Sequence, residues 1–136
     1  MIDKFTGSNG FLSNFYRSDI PYEGINYPTA EHAFQAAKCS TAQEKLRISA
    51  ASTPGMARTM GRHVRLRSDW EDVKDSIMED ILRIKFKDEA LKQRLIGTGK
   101  SILIEGNTWG DRYWGVCSGK GKNKLGKLLM KIRESI

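Results

Sequence analysis

The chain has 136 residues, 23 Lys and Arg against 16 Asp and Glu, a formal charge of +7, two His and two Cys. That length suits a single domain over residues 1–136, since one domain takes roughly 100–200 residues, and 39% hydrophobic with 9% aromatic residues supports a packed core rather than disorder. No apolar run approaches the roughly 20 residues of a membrane helix, two cysteines build no disulfide framework, and no His or Cys falls in metal-ligand spacing.

The N-terminal MIDKFTGSNG lacks the apolar stretch of a signal peptide, which predicts a cytoplasmic protein with Cys39 and Cys117 as free thiols. Residues through Tyr27 read as strand and loop. Ile20-Pro21-Tyr22 and Ile25-Asn26-Tyr27 flank Glu23-Gly24 as a tight hairpin. Thr29 then caps a helix over AEHAFQAAK. Thr41 and Glu44 form a capping box for a helix to about Ala51, and Thr53-Pro54 opens a short helix ending near Gly61. A second capping box, Ser68 to Glu71, opens the longest helix, with Trp70, Val73, Ile77, Ile81 and Ile84 as its apolar stripe. Asp88 caps EALKQRLI, which Gly97 stops. Ile102-Leu103-Ile104 reads as a short buried strand, followed by a loop rich in Gly, Trp and Tyr. The last helix starts near Asn123, with Leu125, Leu128, Leu129 and Ile132 on one face. This order predicts a helix-dominated α+β fold with a small β component. Alternating βαβ units are absent, which argues against a Rossmann sheet.

Charge is unevenly placed. Lys45 to Arg67 and Arg112 to Arg133 contain no acid, while the acids concentrate between Asp69 and Glu89. Two basic blocks suggest an anionic partner such as phosphate, nucleotide, DNA or RNA; ordinary solvated surface is the alternative.

Three constellations carry chemistry. Glu31, Gln35 and Lys38 share one face of the first helix, where Ala33, Phe34 and Ala37 turn to the core. The helix dipole favours negative charge at Glu31, which suits a base or cation stabiliser; a helix-start Glu among solvated neighbours is the alternative. The second is Gly106 to Gly115, where Trp109, Tyr113 and Trp114 surround Asp111 and either plug a core or stack on a planar ligand. The third runs from Ser118 to Gly126 through Gly119, Gly121 and Asn123. Its lysines oppose the dipole of the following helix, so an anion taking backbone N–H groups there would resolve the conflict. It is not a Walker A loop, because no GK[ST] follows at the required spacing. Arg58, Arg62 and Arg65 form either a phosphate fork or a decorated helix end. Nothing in the sequence brings Cys117 to His32 or His63 as a Cys–His pair.

Phe11-Leu-Ser-Asn14-Phe15-Tyr16, Thr29-Ala-Glu31-His32-Ala-Phe-Gln35-Ala-Ala-Lys38, Met60-Gly61-Arg62, Trp70 with Val73-Lys74, Lys85-Phe86, Asp111-Arg-Tyr-Trp114-Gly115 and Gly121-Lys-Asn123-Lys-Leu125-Gly126 occur in order. Together, over about Phe11 to Arg133, they resemble the NADAR superfamily of YbiA-like N-glycosidases. Arg17 stands where the family's S-N-F-Y-P motif has Pro. The resemblance implies hydrolysis of a ribosyl C–N bond, with Glu31, Asp111 and Trp70 at the acidic and aromatic site positions. It also implies Asn14, Phe15, Lys38, Trp114 and Asn123 as ligand-lining positions. Arg62, Gly119 and Gly121, from the basic segments, join them as substrate-binding candidates. A carboxylate beside the anomeric carbon would stabilise an oxocarbenium-like transition state, and no metal or redox cofactor is required. The leading expectation is removal of ADP-ribose from guanine in nucleic acid. The alternatives are a metabolic N-glycosidase splitting ribosylamino-pyrimidine phosphates of riboflavin synthesis into base and ribose 5-phosphate, a non-catalytic ADP-ribose or nucleotide binder, and a plain nucleic-acid-binding domain.

Overall fold

The structure, a computed structural model, describes residues 1–136 and contains two compact units. The first comprises residues 14–85, and the second comprises residues 1–13 with 86–136. The architecture is α+β and helix-dominated, with two two-stranded sheets. No helix is long and apolar enough to cross a membrane.

In the 14–85 unit, strands β1 (Arg17–Tyr22) and β2 (Ile25–Thr29) pair antiparallel, with Tyr22 opposite Ile25. The connecting Glu23 and Gly24 have φ of 49° and 85°. Two successive positive φ values give the primed turn that matches strand twist, so the hairpin forms where Glu23-Gly24 placed it. Helix α1 (Ala30–Ala37) follows directly, capped by the Thr29 hydroxyl, which accepts from the His32 N–H at 3.1 Å. Every residue of α1 is buried. It is the central element, packed against β1, β2, α2 (Ala42–Ser49), α3 (Pro54–Gly61) and α4 (Trp70–Lys85). Thr41 caps α2 and Thr53 caps α3, both through the local signals the sequence carries. The box at Thr41 is only half formed, since its hydroxyl donates to Glu44 Oε1 and Glu44 Oε2 accepts from the Arg65 N–H.

Helix α4 begins two residues after Ser68, with the Asp69 carbonyl accepting its first bonds. The Asp69 carboxylate is drawn instead to Arg67, at 2.6 and 3.0 Å. Its buried stripe is Trp70, Ile77, Met78, Ile81 and Leu82, with Lys85 at its end. Ile20, Tyr27, Phe34 and Ile48 complete this core.

In the other unit, a 3-10 turn over Gly7–Leu12 buries Phe11 and Leu12. Helix α5 (Glu89–Ile96) is capped by Asp88 Oδ2, which accepts from the Leu91 N–H at 3.0 Å. Gly97 ends α5 in right-handed geometry, and the left-handed residue is Gly99, φ 63°. The strand expected at 102–104 reduces to one parallel bridge, Leu103 beside Ile2, with Leu103 buried and Ile102 exposed. The second sheet is instead β3 (Gly106–Asn107) parallel to β4 (Val116–Cys117). Helix α6 (Lys124–Ser135) buries Leu125, Leu129 and Ile132 on the expected face.

Candidate active site

Glu31 lies in the first turn of α1, its N–H donating to the Asn14 carbonyl at 3.0 Å. Its side chain is only 6% exposed, so the solvated alternative does not describe it. Oε1 accepts from Arg58 Nη2 at 3.0 Å and Nε at 3.3 Å, and Oε2 accepts from Gln35 Nε2 at 3.1 Å. Gln35 reaches back from one turn later, as the (i, i+4) spacing dictates. Arg58, on α3, also lies over the Phe15 ring at 4.6 Å, and Phe15 is 39% exposed. A flat aromatic, a guanidinium and a fixed carboxylate therefore sit in sequence.

Two buried carbonyl oxygens here, Asn14 Oδ1 and Gln35 Oε1, have no hydrogen-bond partner. Asn14 Nδ2 meets Met78 Sδ at 3.5 Å. Gln35 Oε1 lies so close to Gly61 that a Cβ built there would stand 2.0 Å away. Lys38 ends α1 as its C-cap, half-buried. Burial pushes its ammonium below the usual value; Glu31 opposes that shift, and Arg62 and Arg58 add to it. Arg62, the C-cap of α3, and Arg65 are exposed. The three-arginine fork thus has one member committed to Glu31, a pairing that sequence spacing does not reveal across 27 positions.

Trp70 is 6% exposed and packs on Phe34 of α1 at 5.1 Å between ring centroids. His32 is engaged at both ring nitrogens: Nε2 donates to the Ala51 carbonyl at 2.9 Å and Nδ1 meets the Thr29 hydroxyl at 2.7 Å. That makes it a strut rather than half of a Cys–His pair. Burial raises the Cys39 thiol to about 11, which keeps it unreactive at neutral pH.

In the other unit, Asp111 organises its loop. Oδ1 accepts from the N–H groups of Tyr113 and Trp114 at 3.1 and 2.9 Å, while Asn107 brackets the Asp111 backbone N–H and carbonyl. Tyr113 and Trp114 meet edge to face at 4.9 Å, and Lys122 and Lys124 lie over Tyr113. Trp114 is half-buried, and Trp109 is 60% exposed.

The start of α6 differs from the expected anion seat. The N–H groups of Lys124 and Leu125 donate to the carbonyls of Tyr113 and Trp114, at 3.2 and 2.9 Å, so the loop itself takes the donors an anion would use. Asn123, at φ 52°, clamps this region: Oδ1 accepts from the Glu105 N–H at 3.0 Å and Nδ2 donates to the Leu103 carbonyl at 2.9 Å. Gly119 turns at φ 74°, and a Cβ on Gly121 would stand 2.1 Å from the Gly115 carbonyl oxygen.

The NADAR domain model matches residues 3–136. The chain belongs to the NADAR family. Members of this family are N-glycosyl hydrolases, and the chain is an enzyme of that class. The NADAR chain is 42% identical over 131 residues to the N-glycosidase YbiA of Escherichia coli, covering 93% of this chain and 81% of that protein. It is 33% identical over 133 residues to the riboflavin biosynthesis protein VVA0006 of Vibrio vulnificus, covering 95% of this chain and 36% of that longer protein. The solved NMR structure of E. coli YbiA superposes with a TM-score of 0.85 at 39% identity, covering 99% of this chain and 86% of that one. The NADAR fold is therefore the fold of this chain.

Proposed function

We propose that the chain hydrolyses the C–N bond of a phosphorylated N-riboside, with a ribosylamino-pyrimidine phosphate of riboflavin synthesis as substrate. Water adds to C1′ of the ribose, the C–N bond breaks, and the base leaves as its amine with a proton derived from that water. Ribose 5-phosphate is the other product. The observation that carries the reading is the Glu31 carboxylate, nearly buried and held on both oxygens. As the C–N bond lengthens, positive charge develops on the ribose. A preorganised carboxylate stabilises that charge more than it stabilises the neutral substrate. The riboflavin name carried by relatives from Vibrio vulnificus and Zea mays supports the choice of substrate.

Asp111, in the other unit, is a separate catalytic candidate proposed from its own loop, as a carboxylate able to orient and deprotonate water. Asn14, Phe15, Lys38 and Arg62 are the proposed ligand contacts around Glu31, with the cations serving the phosphate; Trp114 is a separate ligand-contact candidate in the other unit. Gly119, Gly121 and Asn123 shape the backbone of the basic loop in this reading. Trp70 supports α1 through Phe34.

A second reading, removal of ADP-ribose from guanine in nucleic acid, is favoured by the +7 charge and the two acid-free basic runs. Incubating the protein in parallel with the ribosylamino-pyrimidine phosphate and with an ADP-ribosylated oligonucleotide decides between them. Release of ribose 5-phosphate from the small substrate supports the proposal. Cleavage of the oligonucleotide alone establishes the second reading, and binding of either without product overturns both.

A further inference from the structure

From the bonding around Glu31 we infer that Arg58 is a positioning residue that reserves Glu31 Oε2 as the oxygen facing the ribose; this rests on the N-riboside hydrolase reading above. Each carboxylate oxygen offers two lone-pair sites. On Oε1 both are filled by Arg58, through Nη2 at 3.0 Å and Nε at 3.3 Å. On Oε2 one is filled by Gln35 Nε2 at 3.1 Å, which leaves the remaining site on that oxygen. The guanidinium carbon also lies over the Phe15 ring, 4.6 Å from its centroid, so a cation–π contact holds it as well as the charge of Glu31. Gln35 is held as well, because its Oε1 lies against Gly61. Three residues, on α1, α3 and the segment preceding β1, thereby set one carboxylate plane.

This assignment differs from that of a phosphate fork. An arginine whose role is to grip substrate phosphate acts on binding, whereas one that orients Glu31 acts on the chemical step. Arg keeps this role better than Lys would. A point-charge ammonium can meet Oε1 but cannot supply two N–H groups in one plane.

The test measures kcat and KM for the wild type, Arg58→Ala and Arg58→Lys on the ribosylamino-pyrimidine phosphate, with and without added guanidinium ion, alongside thermal melting. Arg58→Ala is expected to lower kcat about 100-fold, the scale of a misplacement near 1 Å, with KM little changed. Arg58→Lys should recover part of the loss, and guanidinium should restore part of kcat to the alanine variant and none to the wild type. A KM increase with kcat unchanged, or a kcat loss that neither lysine nor guanidinium relieves in a folded protein, overturns the assignment. A second readout does not depend on turnover: titration calorimetry with an iminoribitol, a cationic ribose mimic. The wild type should bind it, and Arg58→Ala and Glu31→Gln should each weaken it by a similar factor. If the wild type turns over no substrate but this pattern appears, the substrate assignment fails while the Arg58 assignment stands. If Arg58→Ala binds the mimic as the wild type does, the Arg58 assignment fails alone.

Discussion

Gly61 is the residue whose substitution separates packing around Glu31 from helix propensity most cleanly. It ends α3 with an ordinary φ, so alanine there would normally stabilise by roughly 0.5–1 kcal/mol. The structure reverses that sign. The new Cβ would stand 2.0 Å from Gln35 Oε1, 2.8 Å from Cδ and 3.2 Å from Cβ. Gln35 is only 6% exposed, so its carboxamide has little room to retreat. Overpacking of this kind costs about 1–3 kcal/mol, which cancels the propensity gain and leaves a net loss of up to about 2.5 kcal/mol. Displacing the carboxamide also breaks the Gln35 bond to Glu31 Oε2, so kcat should fall by about 100-fold. Gly55 in the same helix is the control: its added Cβ would meet only Thr53 Oγ1 at 3.9 Å, and Gly55→Ala should stabilise by roughly 0.5 kcal/mol. Urea unfolding of both variants with steady-state kinetics gives the two numbers. A Gly61→Ala protein as stable as the wild type with full kcat would refute this account of the Gln35 wedge.

Asp111→Asn keeps an oxygen to accept from the Tyr113 and Trp114 N–H groups, so thermal melting should change little while kcat falls; retention of full kcat would assign Asp111 to loop structure alone. Burial lowers the Lys85 ammonium to about 7 in the folded protein, against an ordinary value near 10.5 when unfolded. Between those values the unfolded chain binds the extra proton, so stability should rise as pH increases from about 7 toward 10, and Lys85→Met should flatten that slope in urea unfolding across the range. Trp70→Ala should cost about 3–5 kcal/mol through its lost contact with Phe34. Trp70→Phe should keep most of kcat, and a collapse of turnover in a stable Trp70→Phe protein would place the indole in the chemistry instead. Asn123→Ala strands the Glu105 N–H and the Leu103 carbonyl and should lower stability by at least about 2 kcal/mol, measured by the same unfolding assay.

What the sequence reveals of this molecule is what local chemistry decides. The caps at Thr29, Thr41, Thr53 and Asp88 act within three residues of themselves, and each forms where its side chain predicts. The Glu23-Gly24 turn is equally local. The stripe on α6 follows from helical period alone. Long-range pairing is not legible in the sequence. The parallel β3 and β4 have two residues each, too short for any periodicity, while the apolar Ile102-Leu103-Ile104 has the composition of a strand and makes only a single bridge. Ser68 has the spacing of a cap, but a neighbouring ion pair, Arg67 with Asp69, governs that turn. Lys85 carries no sequence sign of its burial. At the site, spacing places Glu31 and Gln35 together but does not reveal Arg58, which arrives from another helix, or Gly61, whose importance is the space it leaves. The lysines before α6 suggested an unmet anion, whereas the loop carbonyls of Tyr113 and Trp114 already accept from the helix start.

The most direct measurement is single-turnover hydrolysis of the ribosylamino-pyrimidine phosphate by Glu31→Gln, a change that keeps the side chain's shape and removes its charge. A carboxylate that stabilises the cationic ribose predicts a rate lower by about 100- to 1,000-fold with substrate affinity retained. A folded Glu31→Gln protein cleaving at close to the wild-type rate would contradict it.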